Sequence, residues 1–377
     1  MPASPRYRLL AVTVLLLLPF ALSCAFADYK SDLEAYNLAH DAFEAQAQAY
    51  WASIAEKKAI RNTKRSNHEQ LALTDYVLTQ PPIYTGPRKP IEPGAPEVPP
   101  PPPKYIPVIA DFLQNAKEQF QFSPERPKSE LEFKQAYARA AHAAGLTKSQ
   151  IVRIYAFEVG GNGTYDSQAG LEYPKPGARA ISTALGYNQL LHTNTIELLA
   201  ETGDEFLQAL QSKAKSAPPK RKEILQKKTE VVQRMIEFSR SVPDDWTEHE
   251  KLANTPKGLG AHALNLDIDV GPLLQVRNLV TSVKFAQTKG YDKPLTAAEL
   301  EMMNLTGDGT GLDMIVMPAA FRDSVPTANF FQRSGYEANP IAARSKVVAQ
   351  LLAATDSKMN EESKLQGAKD LARVFPK

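Results

Sequence analysis

Twelve prolines fall between Pro81 and Pro107, five of them consecutive from Pro99 to Pro103. Proline has no backbone N–H and a fixed φ, so such a stretch forms neither a helix interior nor an inner strand. It favours an extended polyproline path. The chain therefore divides into a segment before the prolines, residues 28–80, and a long one after them, residues 108–377. Residues 81–107 read as a Pro-rich linker that spaces the two. A ligand for a proline-recognising partner and an ordered arm along the domain surface are the other readings.

Both flanks carry helical periodicity. From Asp28 to about Arg65, Leu33, Tyr36, Ala39, Phe43, Tyr50, Trp51 and Ile54 recur mostly at spacings of three, four or seven. That predicts an amphipathic helix. It docks on its own domain, or else offers its apolar face to a protein partner. After the prolines, helices are predicted over 109–122, 130–145 and from about 147 to 159, with no capping box read at Ser149. Others follow over 187–201, 205–214, 222–240, 269–289, 296–304 and 340–352. Alternating, strand-like runs are scarce, so the class is mainly α.

Charge is balanced at 44 basic and 42 acidic residues. That gives no support to a nucleic-acid partner, which needs a basic footprint. Residues 1–27 read as a secretory signal. Arg6 and Arg8 precede an apolar stretch from Leu9 to Ser23, and Ala25-Phe26-Ala27 is a small-x-small cleavage site. Removal leaves 42 charges of each sign and no cysteine, because Cys24 is the only one. The expected location is periplasmic or secreted. Acylation at Cys24 fits less well, since Ala21 stands where lipoprotein signals usually carry a large aliphatic residue. The basic run Lys213 to Lys228 reads as a solvated helix face, with an anionic polymer as the alternative ligand.

One acidic residue stands in an apolar setting. Ile151, Ile154, Tyr155 and Glu158 share a helix face, and Gly160, Gly161 and Gly163 end that helix at once. A carboxylate at the end of a core helix is costly unless it has work to do. The run AGLTKSQIVRIYAFEVGG, followed by STALGYNQLL, resembles the lytic transglycosylases with a lysozyme-like fold. The resemblance spans roughly residues 130–316. In that family a helix ends in a catalytic glutamate, matched by Glu158. A G-x-x-Q stretch follows, matched by Gly186 to Gln189, and a later Tyr-Asn turn is matched at Asn304. Val159 stands where the family has serine and Met303 where it has tyrosine. The spacing from Glu158 to Gln189 implies an insertion around Glu172 to Arg179.

The resemblance implies an exported enzyme that cleaves the β-1,4 bond between N-acetylmuramic acid and N-acetylglucosamine in peptidoglycan glycan strands. Glu158 would act first as general acid and then as base, leaving a 1,6-anhydro end. Tyr187, Gln189 and Asn304 are the expected substrate contacts. A catalytically weak or inactive wall-binding scaffold is the alternative, resting on Val159 and Met303. A true muramidase would need a second carboxylate, for which Asp166 and Glu172 are candidates. No cofactor is expected. The six histidines, among them His142, His192, His249 and His262, lack metal-ligand spacing, and GDGTG at 307–311 reads as a turn.

Overall fold

The computed structural model describes residues 10–94, 103–171 and 176–377, without the side chains of residues 10–27. Arg6 and Arg8, most of the Pro99–Pro103 run and Glu172 therefore lie outside the described residues, as does the Cys24 side chain. Among those described the chain is mainly α. Its only β pairings are isolated bridges, Gln168 with Leu185 and Leu185 with Leu190. No described helix is long and apolar enough to cross a membrane.

Two units emerge. The smaller takes everything up to Lys104 and also Ser324–Lys346. Its long helix α1 (Leu10–Ser66) buries Ala47, Ile54 and Arg61. The rings of Tyr36 and Phe43 meet Tyr84, with Phe43 at 5.4 Å, and Trp51 meets Tyr336 at 5.7 Å. The apolar face of α1 is thus covered within its own unit. Part of that cover comes from residues 81–94, which run without regular structure.

The larger unit holds Tyr105–Asp323 and Val347–Lys377. It opens with α2 (Ile109–Phe120), α3 (Glu130–Ala143), α4 (Lys148–Val159) and α5 (His192–Ser216). Then come α6 (Pro219–Ser239), α7 (Trp246–Ala253), α8 (Pro256–His262) and α9 (Gly271–Thr288). Helices α10 (Ala297–Thr306) and α11 (Asp308–Ile315) follow. The short α12 (Arg333–Ala338) and α13 (Pro340–Arg344) belong to the smaller unit, and α14 (Val348–Glu362) and α15 (Gln366–Val374) return to the larger one.

The expected block 108–377 is therefore interrupted by residues 324–346. The physical reason is a set of side chains no local pattern announces. Arg61 is fully buried, donates to the carbonyls of Asp75 and Asn329, and lies 4.6 Å from the Tyr76 ring centre. The Asn329 amide exchanges hydrogen bonds with the backbone of Val77.

Three further expectations are corrected. Helix α4 does have a capping box: Thr147 Oγ1 accepts from the Gln150 amide, and Gln150 Oε1 accepts from the Thr147 amide at 2.8 Å. The helix expected from Tyr187 starts only at His192, because the chain first makes the tight Leu185–Leu190 turn with Gln189 at φ 46°. It then continues unbroken to Ser216. Finally, GDGTG is more than a turn: Gly307, at φ 81°, ends α10 and starts α11.

The core of the larger unit includes Phe112, Phe206, Leu210, Met235, Leu264 and Leu274. Beside it sits an ion cluster. Lys228, almost fully buried, bonds Asp267 at 2.9 Å and also Asp269, while Arg221 bonds Asp269 at 2.7 Å. Lys213 joins the same aspartate. Three cations of the Lys213–Lys228 run are thus taken up by internal carboxylates.

Candidate active site

Glu158 stands on the last turn of α4, where three features fix it. The buried Ile151, Ile154 and Tyr155 orient the helix face. Gly160 and Gly161 turn the chain away in the left-handed region, at φ 61° and 66°. The C-terminal helices then close over that turn. A Cβ on Gly161 would lie 2.2 Å from the Glu362 carbonyl oxygen, and the Ala368 amide donates to the Gly161 carbonyl at 2.8 Å.

The carboxyl opens on a cleft of about 600 Å³. Its walls include Gln189, Glu197, Trp246, Asn278, Asn304 and Asp308. Asn304 Nδ2 donates to Glu158 Oε1 at 2.6 Å, and Asn278 Nδ2 donates to Asn304 Oδ1 at 2.9 Å. That chain fixes the amide so that its N–H₂ end faces the acid. Glu158 keeps some exposure to the cleft, but protein encloses its carboxyl. Burial is accordingly the main cause that pushes its pKa up to about 7. Contact with Glu301, the charge of Lys358 and the Asn304 hydrogen bond act the other way. Lys358, from α14, donates to the Phe157 carbonyl at 3.0 Å and lies 4.2 Å from the Phe157 ring centre.

Of the four expected site residues, the fold brings Glu158, Gln189 and Asn304 to one cleft. Gln189 Nε2 is bound to the carbonyls of Gly186 and Ser167, so this side chain pins the loop it stands on. Tyr187 is a correction. It is fully buried, its hydroxyl donates to Glu130, and its ring meets Phe133, Tyr137 and Tyr155 edge-on. A ring enclosed by three other core rings offers no face to a substrate. Its neighbour Asn188 is equally internal, tied to Tyr137 and Gln275.

The candidate second carboxylate Asp166 lines a different hollow, beside Val108 and Gln168, and pairs with Arg126. The carboxylates that do share the cleft with Glu158 are Glu197, Glu201 and Asp308. Burial first, and then the charge of Glu201, push Glu197 up to about 7. Asp308 accepts from Ser282 Oγ at 2.6 Å and is raised by burial. Glu197 follows the spacing of α5 and carries no motif. Trp246, a partly exposed ring on the cleft wall, begins a helix the periodicity did not reveal.

No three His, Cys, Asp or Glu side chains among the described residues are arranged to hold a metal ion. His262 is fully buried between Thr195 and the Thr183 carbonyl, and burial lowers its pKa to about 3, so it is a neutral core histidine. Comparison with known proteins found no matching family, no matching characterised protein and no matching solved structure.

Proposed function

We propose that the chain is an exported lytic transglycosylase acting on peptidoglycan glycan strands, with a lysozyme-like arrangement in its larger unit. One observation carries this reading: a glutamate at a helix end, its pKa raised by burial to about 7, faces a cleft and is oriented by an amide. Breaking a glycosidic bond requires an acid that protonates the leaving oxygen as positive charge grows on the sugar. Glu158 is that acid. The C1–O4 bond breaks and the Glu158 proton goes to O4. The Glu158 carboxylate then removes the proton from the C6 hydroxyl of the same muramic acid as O6 bonds to C1. A 1,6-anhydro end forms, no water is consumed, and Glu158 returns to its starting state. Asn304 holds the carboxyl between the two steps. Trp246 offers a flat apolar face of the kind that packs on a sugar ring.

A second reading is favoured by Glu197, which faces the same cleft. As a base it would activate water, and the protein would be a two-carboxylate muramidase. Release of soluble fragments from purified peptidoglycan, by wild type beside Glu158→Gln, tests the common element. The expected result is cleavage by the wild type and a fall on the order of 10³-fold in the variant. Glycan binding without cleavage by the wild type would favour the wall-binding scaffold instead.

A further inference from the structure

Glu301 has no part in the steps above, yet no other carboxyl among the described residues is so placed. It lies on α10 one turn before Asn304, on the face turned to Glu158, and its side chain is fully buried. Neither of its oxygens receives a hydrogen bond from any donor fixed by the heavy-atom positions. The groups that act on it are the Glu158 carboxyl, the Lys358 charge and the Asn304 amide, whose nitrogen donates to Glu158 at 2.6 Å and also holds the Glu301 pKa down. Two carboxylates cannot bond to each other. An ionised Glu301 would be a fully buried anion beside a second carboxylate, sharing one amide with it, a costly arrangement in a protein interior. A single proton removes the charge and supplies a donor between the two carboxyls together.

We propose that Glu301 stays protonated through the neutral range and donates its O–H to the Glu158 carboxylate. It is thereby a positioning residue that steadies Glu158 after the latter has given up its own proton. The inference rests on the reading of Glu158 as the acid and base. In the balanced step, the Glu158 proton leaves with O4, and the new carboxylate has two donors, Asn304 Nδ2 and the Glu301 hydroxyl. The Glu301 proton stays where it is, and the next proton comes from the C6 hydroxyl.

The surroundings agree. Burial, and then the charge of Glu158, push Glu301 well above the usual carboxylate range. Lys358 of α14 pulls the other way, and Tyr137 of α3 is the phenol that feels Glu158. Helix α9 presents Asn278 and Ser282 toward this region, with its Arg277 paired to Glu205. Helix α11 brings Asp308, bound to Ser282, and the buried Asp313.

The test compares Glu301→Gln, which keeps a neutral donor, with Glu301→Met, which removes it. In the pH profile of kcat/KM for glycan cleavage, the alkaline limb reports deprotonation of Glu158. With Gln the limb stays in place and kcat falls at most about threefold. With Met the limb moves up by about one unit, because the Glu158 carboxylate has lost a donor, and kcat falls about tenfold at unchanged KM. A role limited to packing would lower stability and leave the limb where it is. A limb that moves down by about a unit in Glu301→Gln would mean that Glu301 carries a charge, and would overturn the proposal.

Infrared spectroscopy of the whole protein reads the same proton without any substrate. The carbonyl stretch of a protonated carboxyl persists in the wild type above neutral pH and disappears in Glu301→Gln. Its absence from the wild type overturns the proposal even if no glycan is cleaved. Failure of cleavage with the band present overturns only the assigned reaction.

Discussion

A carboxyl near the surface titrates near 4.5, and Glu158 titrates near 7 because protein has replaced the water around it. The consequence for stability has a definite sign. A carboxyl raised in the folded state binds its proton more tightly there than in the unfolded chain. Its contribution is therefore greatest at low pH and declines as pH rises from about 4.5 through 7. Glu158→Gln removes this decline. We expect the variant to match the wild type near pH 5 and to exceed it by roughly 2–3 kcal/mol near pH 8. Parallel melting temperatures for the two proteins across that range would contradict the argument. Trp246→Ala is expected to raise KM about tenfold with little change in kcat, if the ring holds sugar in both ground and transition states. At this scale the sequence was informative where a residue conflicted with its neighbours. Glu158 stood out as a charge in an apolar run. Glu301 did not, because an acid among Ala, Leu and Met on a helix looks exposed until the helix is packed. Tyr187 misled for the converse reason: its position next to Gln189 suggested a cleft, while its ring completes the core.

Elements carry the site through their ends. Helix α4 is started by the Thr147–Gln150 box and stopped at Gly160, so Glu158 is fixed at a boundary with little room to slide. The close approach of Glu362 to Gly161 makes that boundary intolerant of a side chain. Gly161→Ala must place a Cβ against a backbone carbonyl and hold a positive φ. We expect a loss of about 2–4 kcal/mol in chemical denaturation, and a much smaller loss at the open Gly145, which ends α3. In α6, Lys228 neutralises Asp267 and Asp269, and Lys228→Met leaves both without their closest cation. The expected cost is about 3–5 kcal/mol at neutral pH and less in acid, where the aspartates protonate. An unchanged urea midpoint would show that the cluster contributes nothing net. The extents of α2, α3 and α9 followed closely from periodicity because each has one apolar stripe, whereas α6 starts at Pro219, three residues before the expected 222, with proline as its first residue. Helices α7, α8 and α11 are seven or eight residues long, too short for a stripe to repeat.

On the scale of the whole molecule, the unanticipated feature is how the chain is divided. Periodicity is local, so it read residues 28–80 as one segment and 108–377 as one block. It could not show that Asn329 and Phe330 complete the surroundings of Arg61, separated from it by more than half the chain. Arg61→Met is expected to lower the stability of the smaller unit by about 3 kcal/mol while sparing cleavage, with proteolysis appearing first near residues 66–80. Loss of cleavage at full solubility would argue against that separation. The last residues are likewise placed by the fold: α14 and α15 close over the Glu158 turn, and α14 supplies Lys358. The central proposal is that Glu158 serves as both acid and base in a reaction that consumes no water. The measurement that tests it most directly is mass spectrometry of the new glycan ends after digestion of purified peptidoglycan in ¹⁸O-labelled water. The account predicts 1,6-anhydro ends carrying no label. Reducing ends carrying ¹⁸O would contradict it and favour the two-carboxylate reading.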